Sequence, residues 1–481
     1  MKRLAARAAR ARKRTMHDDH IPTTDVIHGW IEEIFSWGIR RPGYEADLRA
    51  EDHAIEQFQA FGLERVRREP VELRYWEPLS SSLTIHAAAT RFEVPCFPLP
   101  HSAPTEPVEL ELAQLDPDAP GSARGKAAFV VTPLMALPPT LAVDASGAAD
   151  AMDIALELRS GGIVLDPRKT FDGATQTLPF SPAIMEVMEP SITAGASAFI
   201  GMLEGYPGDS YRYYVPYDGI SRPIPGVWIR GSDGARIQAL LAEGPVSIRL
   251  EVRSKSETIT SHNIIGELPG ADEEVVVIGS HHDGPWASAV EDASGISLVL
   301  AQARYWSKVP AAERPHGLLF LLNAGHMAGG AGCQAFIRDH ADLLEHIVLE
   351  IHLEHAANEF RECNGKLEPT GEPEPRWFFT SQNPELKRSV VSALQAEGID
   401  RALVIAPDAF GEQPTTDGGA FHPAGVPLVN YLTAPFYLFD AMDTLDKIHR
   451  ESLVPITRAT IRMIEATEGI SAARMVKGIR S

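Results

Sequence analysis

EEVVVIGSHHD, residues 273–283, is the stretch that decides the fold. Its apolar residues follow one another without alternation, which is typical of a strand covered on both faces of its sheet. A second such stretch, HGLLFLLNAGH at 316–326, follows a helical pattern at 294–309. Two buried strands joined by a helix predict neighbouring parallel strands. A functional site would lie at the carboxyl ends of these strands, and both stretches place histidine there.

The alternation of strand and helix patterns continues towards the C-terminus. HIVLEIHLEH at 346–355 and VPLVNYLT at 426–433 are patterns of buried strands. Helical patterns occupy residues 329–344, 383–398 and 444–467. Together they predict an α/β fold, in which a mixed, largely parallel sheet is sandwiched by helices.

The N-terminal part is predicted to be helical. Apolar residues recur at spacings of three and four through residues 24–65, which predicts two amphipathic helices. An Arg-Pro-Gly turn at 41–43 separates them, and Gly62 stands where a helix C-cap belongs. We expect these helices to belong to the α/β part, so that residues 16–80 and 255–481 form one catalytic domain.

Residues 81–254 have a different pattern, with short β-like runs between proline and glycine turns. This pattern predicts a small, mainly β domain inserted into the chain. The β-like runs are GKAAFVV at 125–131, GGIVLD at 161–166, ASAFIGML at 196–203, PGVWIR at 225–230 and VSIRLEV at 246–252.

Composition excludes several classes of function. The 481 residues include 44 Lys and Arg against 65 Asp and Glu, a formal net charge of −21 that argues against nucleic acid as a partner. Three scattered cysteines do not form a disulfide framework and predict a reducing, cytoplasmic location. No apolar run is long enough to span a membrane. The basic residues 1–15 are predicted to be a disordered tail, with a targeting segment as the alternative.

Two longer stretches carry a family resemblance. HNIIGELPGADEEVVVIGSHHDGPW at 262–286 and SAVEDASGISLVLAQAR at 288–304 resemble the entry to the metal site of the M28 family of zinc aminopeptidases and carboxypeptidases. The stretches at 125–131 and 224–252 are similar to the protease-associated domain that some members carry as an insertion. The resemblance implies a zinc-aminopeptidase-like fold from residue 24 to the C-terminus, with a protease-associated domain at 81–254.

The resemblance also implies a metal site. In that family two zinc ions share a bridging carboxylate and a bridging water. The resemblance places His281 at a ligand position and Asp283 as the residue that orients it. The bridging position falls on Glu291, with Asp292 beside it, and the sequence leaves open which of the two carboxylates points inward.

The next family motif is altered. The family has Ala-Glu-Glu after the second strand, where the first glutamate is the general base and the second is a metal ligand. This chain has Ala324, Gly325 and His326 at these places. The residue in the base position therefore has no side chain, whereas the residue in the ligand position can still bind a metal.

Two further ligand positions also differ. Glu354, flanked by His352 and His355, stands where the family has a ligating aspartate, and Phe439 falls at the place of the last histidine, counted from Asp-Thr at 443–444. Substitutions that mostly retain ligand chemistry indicate a rebuilt, mononuclear site rather than a decayed one. The predicted metal ligands are His281, Glu291, His326 and Glu354.

These positions predict a metal-dependent hydrolase that uses a metal-activated water on a small amide, a dipeptide or a similar compact substrate. The predicted cofactor is one divalent transition metal (zinc, manganese or iron), with two ions as the alternative. Because Gly325 cannot act as a base, another group must. The predicted catalytic residues are Asp283, which orients His281, and Glu291, Asp292 and His355, which are candidate bases.

Other functions stay open from the sequence. A catalytically inactive M28-like binding or scaffold protein would explain Gly325 and Phe439. A conventional di-zinc aminopeptidase would follow if the register were shifted. We expect a small-molecule substrate and a homodimer, which is common among relatives with the inserted domain.

Aromatic residues near the site suggest how a substrate binds. The aromatic residues of the run GYPGDSYRYYVPYDG at 205–219 and the nearby Trp286 suit a flat or apolar substrate. Arg212, within the same run, could pair with a substrate carboxylate. The predicted substrate-binding residues are Trp286, Tyr214 and Arg212, with simple packing of this aromatic run as the alternative. Asp417 is either an acceptor for a ligating histidine or a turn residue, and His326 could instead be a core histidine.

Overall fold

The computed structural model describes residues 16–88, 90–141 and 162–477. The predicted basic tail, residues 1–15, lies outside them. A sheet in which fifteen of the described strands take part runs through the molecule. No helix of the described ranges combines the length and apolar character needed to cross a bilayer.

Four parallel strands form the centre of the α/β part. Val275–His281 lies between Gly317–Asn323 and Ile347–Leu353, and Leu428–Thr433 lies beyond the latter. All four patterns were predicted as buried strands, and the structure confirms them.

Both faces of these strands are covered, as their continuous apolar runs require. Along Val275–His281, Val276 and Ile278 pack into one hydrophobic core and Val277 packs into another. Phe320 and Leu319 divide in the same way on the neighbouring strand. Side chains that alternate along a strand point to opposite faces, so this division places the sheet between two apolar layers.

Helices supply these layers. The two N-terminal helices, Thr24–Ser36 and Glu45–Phe61, form as predicted, and Gly62 ends the second with a φ of 80°. The longer helices of the remaining chain are Gly231–Glu243, Gly295–Ser307, Ala331–Asp339, Pro384–Ala396 and Arg450–Glu465. A mixed α/β architecture with a large, mostly parallel sheet between helices is therefore confirmed.

The sheet ends in three short strands, two of which the sequence patterns did not reveal. Arg376–Thr380 runs antiparallel to Leu428–Thr433, and Ala402–Ile405 follows it. The outermost strand is Ile163–Leu165. This strand belongs to the run GGIVLD of the predicted insertion, yet it pairs with the α/β part of the sheet.

Two long strands connect the α/β part to the predicted insertion. Glu64–Ala87 and Val246–Leu268 pair antiparallel along almost their whole length. One end of the second strand pairs with Gly317–Asn323 and the other with Thr105–Gln114. The remaining strands of the insertion's part of the sheet are Thr90–Val94, Cys96–Pro98, Ala127–Val131, Ala198–Leu203 and Gly226–Arg230.

Candidate metal centre

Three neighbouring strands bring their polar residues together at their carboxyl ends. His281 is the last residue of Val275–His281, and His326 follows Gly317–Asn323 by a short turn. Glu354 and His355 directly follow Ile347–Leu353. Because parallel strands end at the same edge of the sheet, these four side chains are directed into one region.

Glu291 lies at the centre of this region. It is fully buried in the turn Ala289–Ser294, which leads into helix Gly295–Ser307. Its Oε1 lies 3.4 Å from His281 Nε2 and 3.5 Å from His326 Nε2. Its Oε2 lies 2.5 Å from His355 Nε2. Of the two adjacent carboxylates, Glu291 is therefore the one that faces the imidazoles.

The three imidazoles are held so that their Nε2 atoms face Glu291. His281 Nδ1 lies 3.0 Å from the Asp283 carbonyl, and His355 Nδ1 lies 2.7 Å from the Thr433 carbonyl. His326 Nδ1 lies 3.4 Å from the Asp417 carboxylate. An oxygen acceptor at Nδ1 fixes the proton there and leaves the Nε2 lone pair for a metal.

The geometry fits a divalent metal. A tetrahedral ion with bonds of about 2.1 Å would place neighbouring ligand atoms about 3.4 Å apart, close to the two distances at Glu291 Oε1. His281 Nε2 and Glu291 Oε1 are buried and make no hydrogen bond within the described residues. Buried groups of this kind require a partner. His281, Glu291 and His326 together could hold one ion.

The surroundings set the charge of each imidazole. Burial, reinforced by His326 and His355, lowers the pKa of His281 well below its ordinary value, so His281 is a neutral ligand. Burial also lowers the pKa of His326, but Asp417 and Glu291 outweigh it and raise that pKa to about 9. Glu291 likewise overcomes burial at His355 and raises its pKa to about 10.

Asp283 and Asp292 are placed differently from their predicted roles. The Asp283 carboxylate accepts hydrogen bonds from the backbone N–H groups of His326 and Met327. Its carbonyl lies 3.0 Å from His281 Nδ1, and its Oδ1 lies 3.8 Å from the same atom. The Asp292 carboxylate is held by the Ser280 hydroxyl and by the Gly295 N–H at 2.9 Å. Both carboxylates are thus held by neighbouring hydrogen-bond donors, and Asp292 Oδ2 lies 3.8 Å from His281 Nε2.

Glu354 lies beside the centre and does not face Glu291. Glu354 was a predicted ligand, but its Oε1 lies 3.2 Å from His352 Nε2 and accepts the Asp417 N–H at 3.0 Å. His352 Nδ1 in turn lies 3.1 Å from Glu350 Oε1. Glu354 thus joins a buried polar chain beside the centre, while His355 contacts Glu291.

The conformation of Gly325 explains why this position lacks a side chain. Its φ is +70°, and a Cβ built on it would lie 2.7 Å from Leu73 Cδ2. Leu73 belongs to the long strand Glu64–Ala87 and packs beside Ala324. The space that a base at position 325 would need is therefore filled by a leucine.

An enclosed cavity of about 230 Å³ opens onto the centre. His326, Glu354 and His355 line it, and the rest of its wall is almost entirely apolar or aromatic. Tyr217 and Phe439 stack 4.7 Å apart in this wall. The wall also includes Met135, Leu178, Phe180, Trp377, Phe410, Thr415, Leu432, Ala434 and Leu438. A more open cleft of about 640 Å³ meets this cavity at Tyr217 and His326.

The predicted substrate-binding residues do not line either space. Trp286 and Tyr214 are buried, and both stack against Arg41, with its guanidinium carbon 4.5 Å and 4.9 Å from their rings. Arg212 stacks on Trp286 at 4.4 Å. Trp286 and Tyr214 therefore pack the interior, whereas Arg212 is exposed and covers one face of Trp286. The tyrosine of that run beside the centre is Tyr217, and no local pattern distinguishes it from the other tyrosines of the run.

His282 points away from the centre. Its Nδ1 lies 2.7 Å from Asp47 Oδ1, and its Nε2 lies 3.0 Å from the His262 carbonyl. Burial opposes the charged form, but Asp47 outweighs burial and raises the pKa of His282 to about 10. Because both ring nitrogens face acceptors, His282 is a buried cation paired with Asp47.

We expect Asp47→Asn to destabilise the protein by about 3 kcal/mol at pH 6, because it leaves a buried histidine without its charged partner. The folded pKa of about 10 exceeds the ordinary value of 6.5. The pair's contribution to the free energy of unfolding is therefore complete below pH 6.5 and is lost as the pH rises through 10. Urea unfolding from pH 6 to 10.5 measures the free energy of unfolding of both proteins, and the difference between them should narrow as the pH rises. A difference that does not depend on pH would refute the charged pair.

Comparison with known proteins identifies relatives. The model of the family described as peptidase family M28 matches residues 263–464. Leucine aminopeptidase 2 of Arthroderma otae is 34% identical over 98 residues, which are 20% of this chain and 19% of that protein. The chain thus matches only about a fifth of the length of this curated relative.

Solved structures share the fold. The peptidase M28 precursor from Shewanella amazonensis superposes with a TM-score of 0.67 at 18% identity, covering 93% of this chain and 94% of that one. BSAP, a zinc aminopeptidase from Bacillus subtilis, has a TM-score of 0.63 at 17% identity, with 95% and 99% covered. The aminopeptidase from Aneurinibacillus sp. strain AM-1 has a TM-score of 0.61 at 17% identity, with 92% and 93% covered.

Proposed function

The chain carries a domain of peptidase family M28, and from this premise we propose that it is a hydrolase of small, uncharged amides with a mononuclear metal centre. The observation that carries the proposal is the convergence of His281 Nε2 and His326 Nε2 on Glu291 Oε1, at 3.4 Å and 3.5 Å. Three protein ligands leave an ion with open positions, as catalytic sites require.

His281, Glu291 and His326 would hold the ion. When bound, a divalent metal supplies Lewis acidity that polarises a carbonyl and activates water. Zinc is the first metal to test, because BSAP of Bacillus subtilis, which shares the fold, is a zinc aminopeptidase. Manganese and iron accept the same imidazole and carboxylate ligands.

His355 is the residue best placed to carry a proton. It lines the cavity, its Nδ1 is fixed by the Thr433 carbonyl, and its Nε2 lies 2.5 Å from Glu291 and 3.8 Å from Glu354. Two carboxylates stabilise the ring once it has accepted a proton at Nε2. Because the pKa of His355 is raised to about 10, its ring carries a proton at Nε2 at neutral pH and can donate that proton to the leaving amine.

The cavity supports a compact substrate with an apolar or aromatic portion. Among the described residues, no lysine or arginine lines the cavity, so no guanidinium or ammonium group is placed there to pair with a substrate carboxylate. A volume of about 230 Å³ admits a small group rather than a folded protein. The apolar wall also excludes water from the reacting carbonyl.

The proposal can be tested by hydrolysis of a panel of amides. Neutral aryl amides, amino-acyl anilides, dipeptides and casein are incubated with zinc-loaded protein and with protein stripped by a chelator. We expect the small neutral amides to be cleaved, casein to be left intact, and activity to disappear with the metal. His326→Ala should be inactive. The matched control is His346→Ala. His346 is exposed and directly precedes strand Ile347–Leu353, at the end away from the metal centre, so this variant should keep full activity.

Other outcomes would favour the rival functions. Preference for amino-acyl anilides with two zinc ions per chain would indicate a conventional aminopeptidase. A folded protein that binds no metal and cleaves nothing would indicate a binding or scaffold protein, which Gly325 and Phe439 would also permit.

A further inference from the structure

The Arg-Arg-Pro-Gly segment at residues 40–43 lies outside the matched M28 residues, yet it is attached to the loop that carries Glu291. The backbone of Arg40 accepts a hydrogen bond from the Gly284 N–H at 2.8 Å and donates one to the Trp286 carbonyl at 2.9 Å. Arg41 Nε donates to the Pro285 carbonyl at 2.9 Å. The two chain segments therefore run side by side below the metal centre.

The Arg40 side chain reaches further along the same loop. Its guanidinium donates to the carbonyls of Ala287, of Ser288 at 2.8 Å and of Glu291 at 3.3 Å. Three carbonyls of one short loop thus point at a single cation. A planar, rigid guanidinium suits such a geometry, and the more flexible ammonium group of lysine does not.

Asp443 holds the loop from the other side. One of its carboxylate oxygens accepts the Val290 N–H at 2.8 Å, and the other accepts the Glu291 N–H at 2.9 Å. At Glu291 the backbone carbonyl therefore faces a cation and the backbone N–H faces an anion. This pair of contacts restricts rotation of the backbone from which the Glu291 side chain extends.

Burial shows that these charges are not incidental. Arg40 has no exposed surface and Asp443 has almost none. Arg40 also lies near the buried carboxylates of Asp47, Asp283 and Asp292, so its charge offsets theirs. An isolated buried arginine would be very costly.

We propose that Arg40 and Asp443 are positioning residues that clamp the loop 287–291 and so direct the Glu291 carboxylate towards the metal. This inference rests on the proposed metal centre. The clamp acts through Glu291, because neither residue touches the cavity. Partners of this kind commonly change metal affinity by about 10- to 100-fold.

The test uses the full chain with the variants Arg40→Ala, Arg40→Lys and Asp443→Asn. Arg314→Ala is the matched control, because Arg314 is also buried and also donates to backbone carbonyls, those of Trp306 and Pro269. Zinc affinity is measured by competition with a chromophoric chelator, and ligand geometry by the visible spectrum of the cobalt-loaded protein. Hydrogen exchange of the peptides covering 284–291 is measured without metal.

We expect Arg40→Ala and Asp443→Asn to bind zinc about 10- to 100-fold more weakly, with an altered cobalt spectrum and faster exchange at 284–291. The zinc affinity of Arg40→Lys should lie between those of the wild type and Arg40→Ala. Added methylguanidinium should partly restore the zinc affinity of Arg40→Ala. Arg314→Ala should lose stability and keep its zinc affinity.

Two results would overturn the proposal. Folded Arg40→Ala and Asp443→Asn proteins with wild-type affinity and wild-type exchange would show that the clamp does not exist. An equal loss of affinity in Arg314→Ala would show that general destabilisation is the cause. If the wild-type chain binds no metal, the proposed function fails, and hydrogen exchange at 284–291 alone then decides whether the loop is clamped.

Discussion

Replacing Glu291 with glutamine is expected to lower the affinity for a divalent metal by more than about 100-fold, since loss of a ligand should exceed the effect of losing a supporting partner. Glu291 is the carboxylate that approaches His281, His326 and His355, at 3.4, 3.5 and 2.5 Å. Glutamine keeps the shape of the side chain and removes its charge. Competition titration with zinc measures the change.

The matched control for this variant is Glu374→Gln. Glu374 is another buried glutamate, bonded to Gln176, and burial raises its pKa to about 8. It is therefore mostly neutral at pH 7, and its replacement should leave metal affinity unchanged. If Glu291→Gln bound zinc as tightly as the wild type, Glu291 would not be a metal ligand.

The second large effect is expected at Gly325. Gly325→Ala should destabilise the protein by about 2–4 kcal/mol, because it combines an unfavourable positive φ with a contact to Leu73. Glutamate at this position adds the same strain and should not increase hydrolysis. The free energy of unfolding and the hydrolysis rate are measured for both variants.

Two further variants separate strain from packing. Gly398 has a φ of +66° and no neighbouring atom within 4 Å of a built Cβ, so Gly398→Ala reports the cost of the backbone conformation alone. When Leu73 is already alanine, Gly325→Ala should lower the free energy of unfolding only as much as Gly398→Ala does in the wild type. If Gly325→Ala lowers the free energy of unfolding no more than Gly398→Ala does, Leu73 does not block a side chain at position 325.

Much of the fold follows from local patterns. The continuous apolar runs at 273–283 and 316–326 require cover on both faces, and their side chains divide between two hydrophobic cores. Arg376–Thr380 and Ala402–Ile405 were missed because they are only five and four residues long. Runs of this length do not distinguish a strand from a turn or a buried helix segment.

The candidate site was only partly predictable. Spacing and resemblance led to His281, Glu291 and His326, which the structure brings together. Residues two apart on a strand point to the same side, and the side chains of His352 and Glu354 do meet. His355 departs from this rule because its φ is +54°, which ends the alternation and turns the ring towards Glu291. Local sequence does not signal such a turn.

Long-range partners were the least accessible from sequence. Arg41 lies more than 170 positions from Tyr214 and Trp286, so nothing local indicated that its guanidinium stacks on both rings. The Asp47–His282 pair and the contacts of Arg40 with Ser288 join equally distant segments. The predicted division into domains and the predicted homodimer stay predictions.

The measurement that tests the central claim most directly is the number of metal ions per chain. The protein is purified without chelators or a metal-binding tag, loaded with zinc, dialysed and analysed by mass spectrometry of first-row metals. The account predicts about one ion per wild-type chain, about one in His346→Ala, and none in His326→Ala. Two ions per wild-type chain, or none after incubation with zinc, manganese and iron, would contradict it.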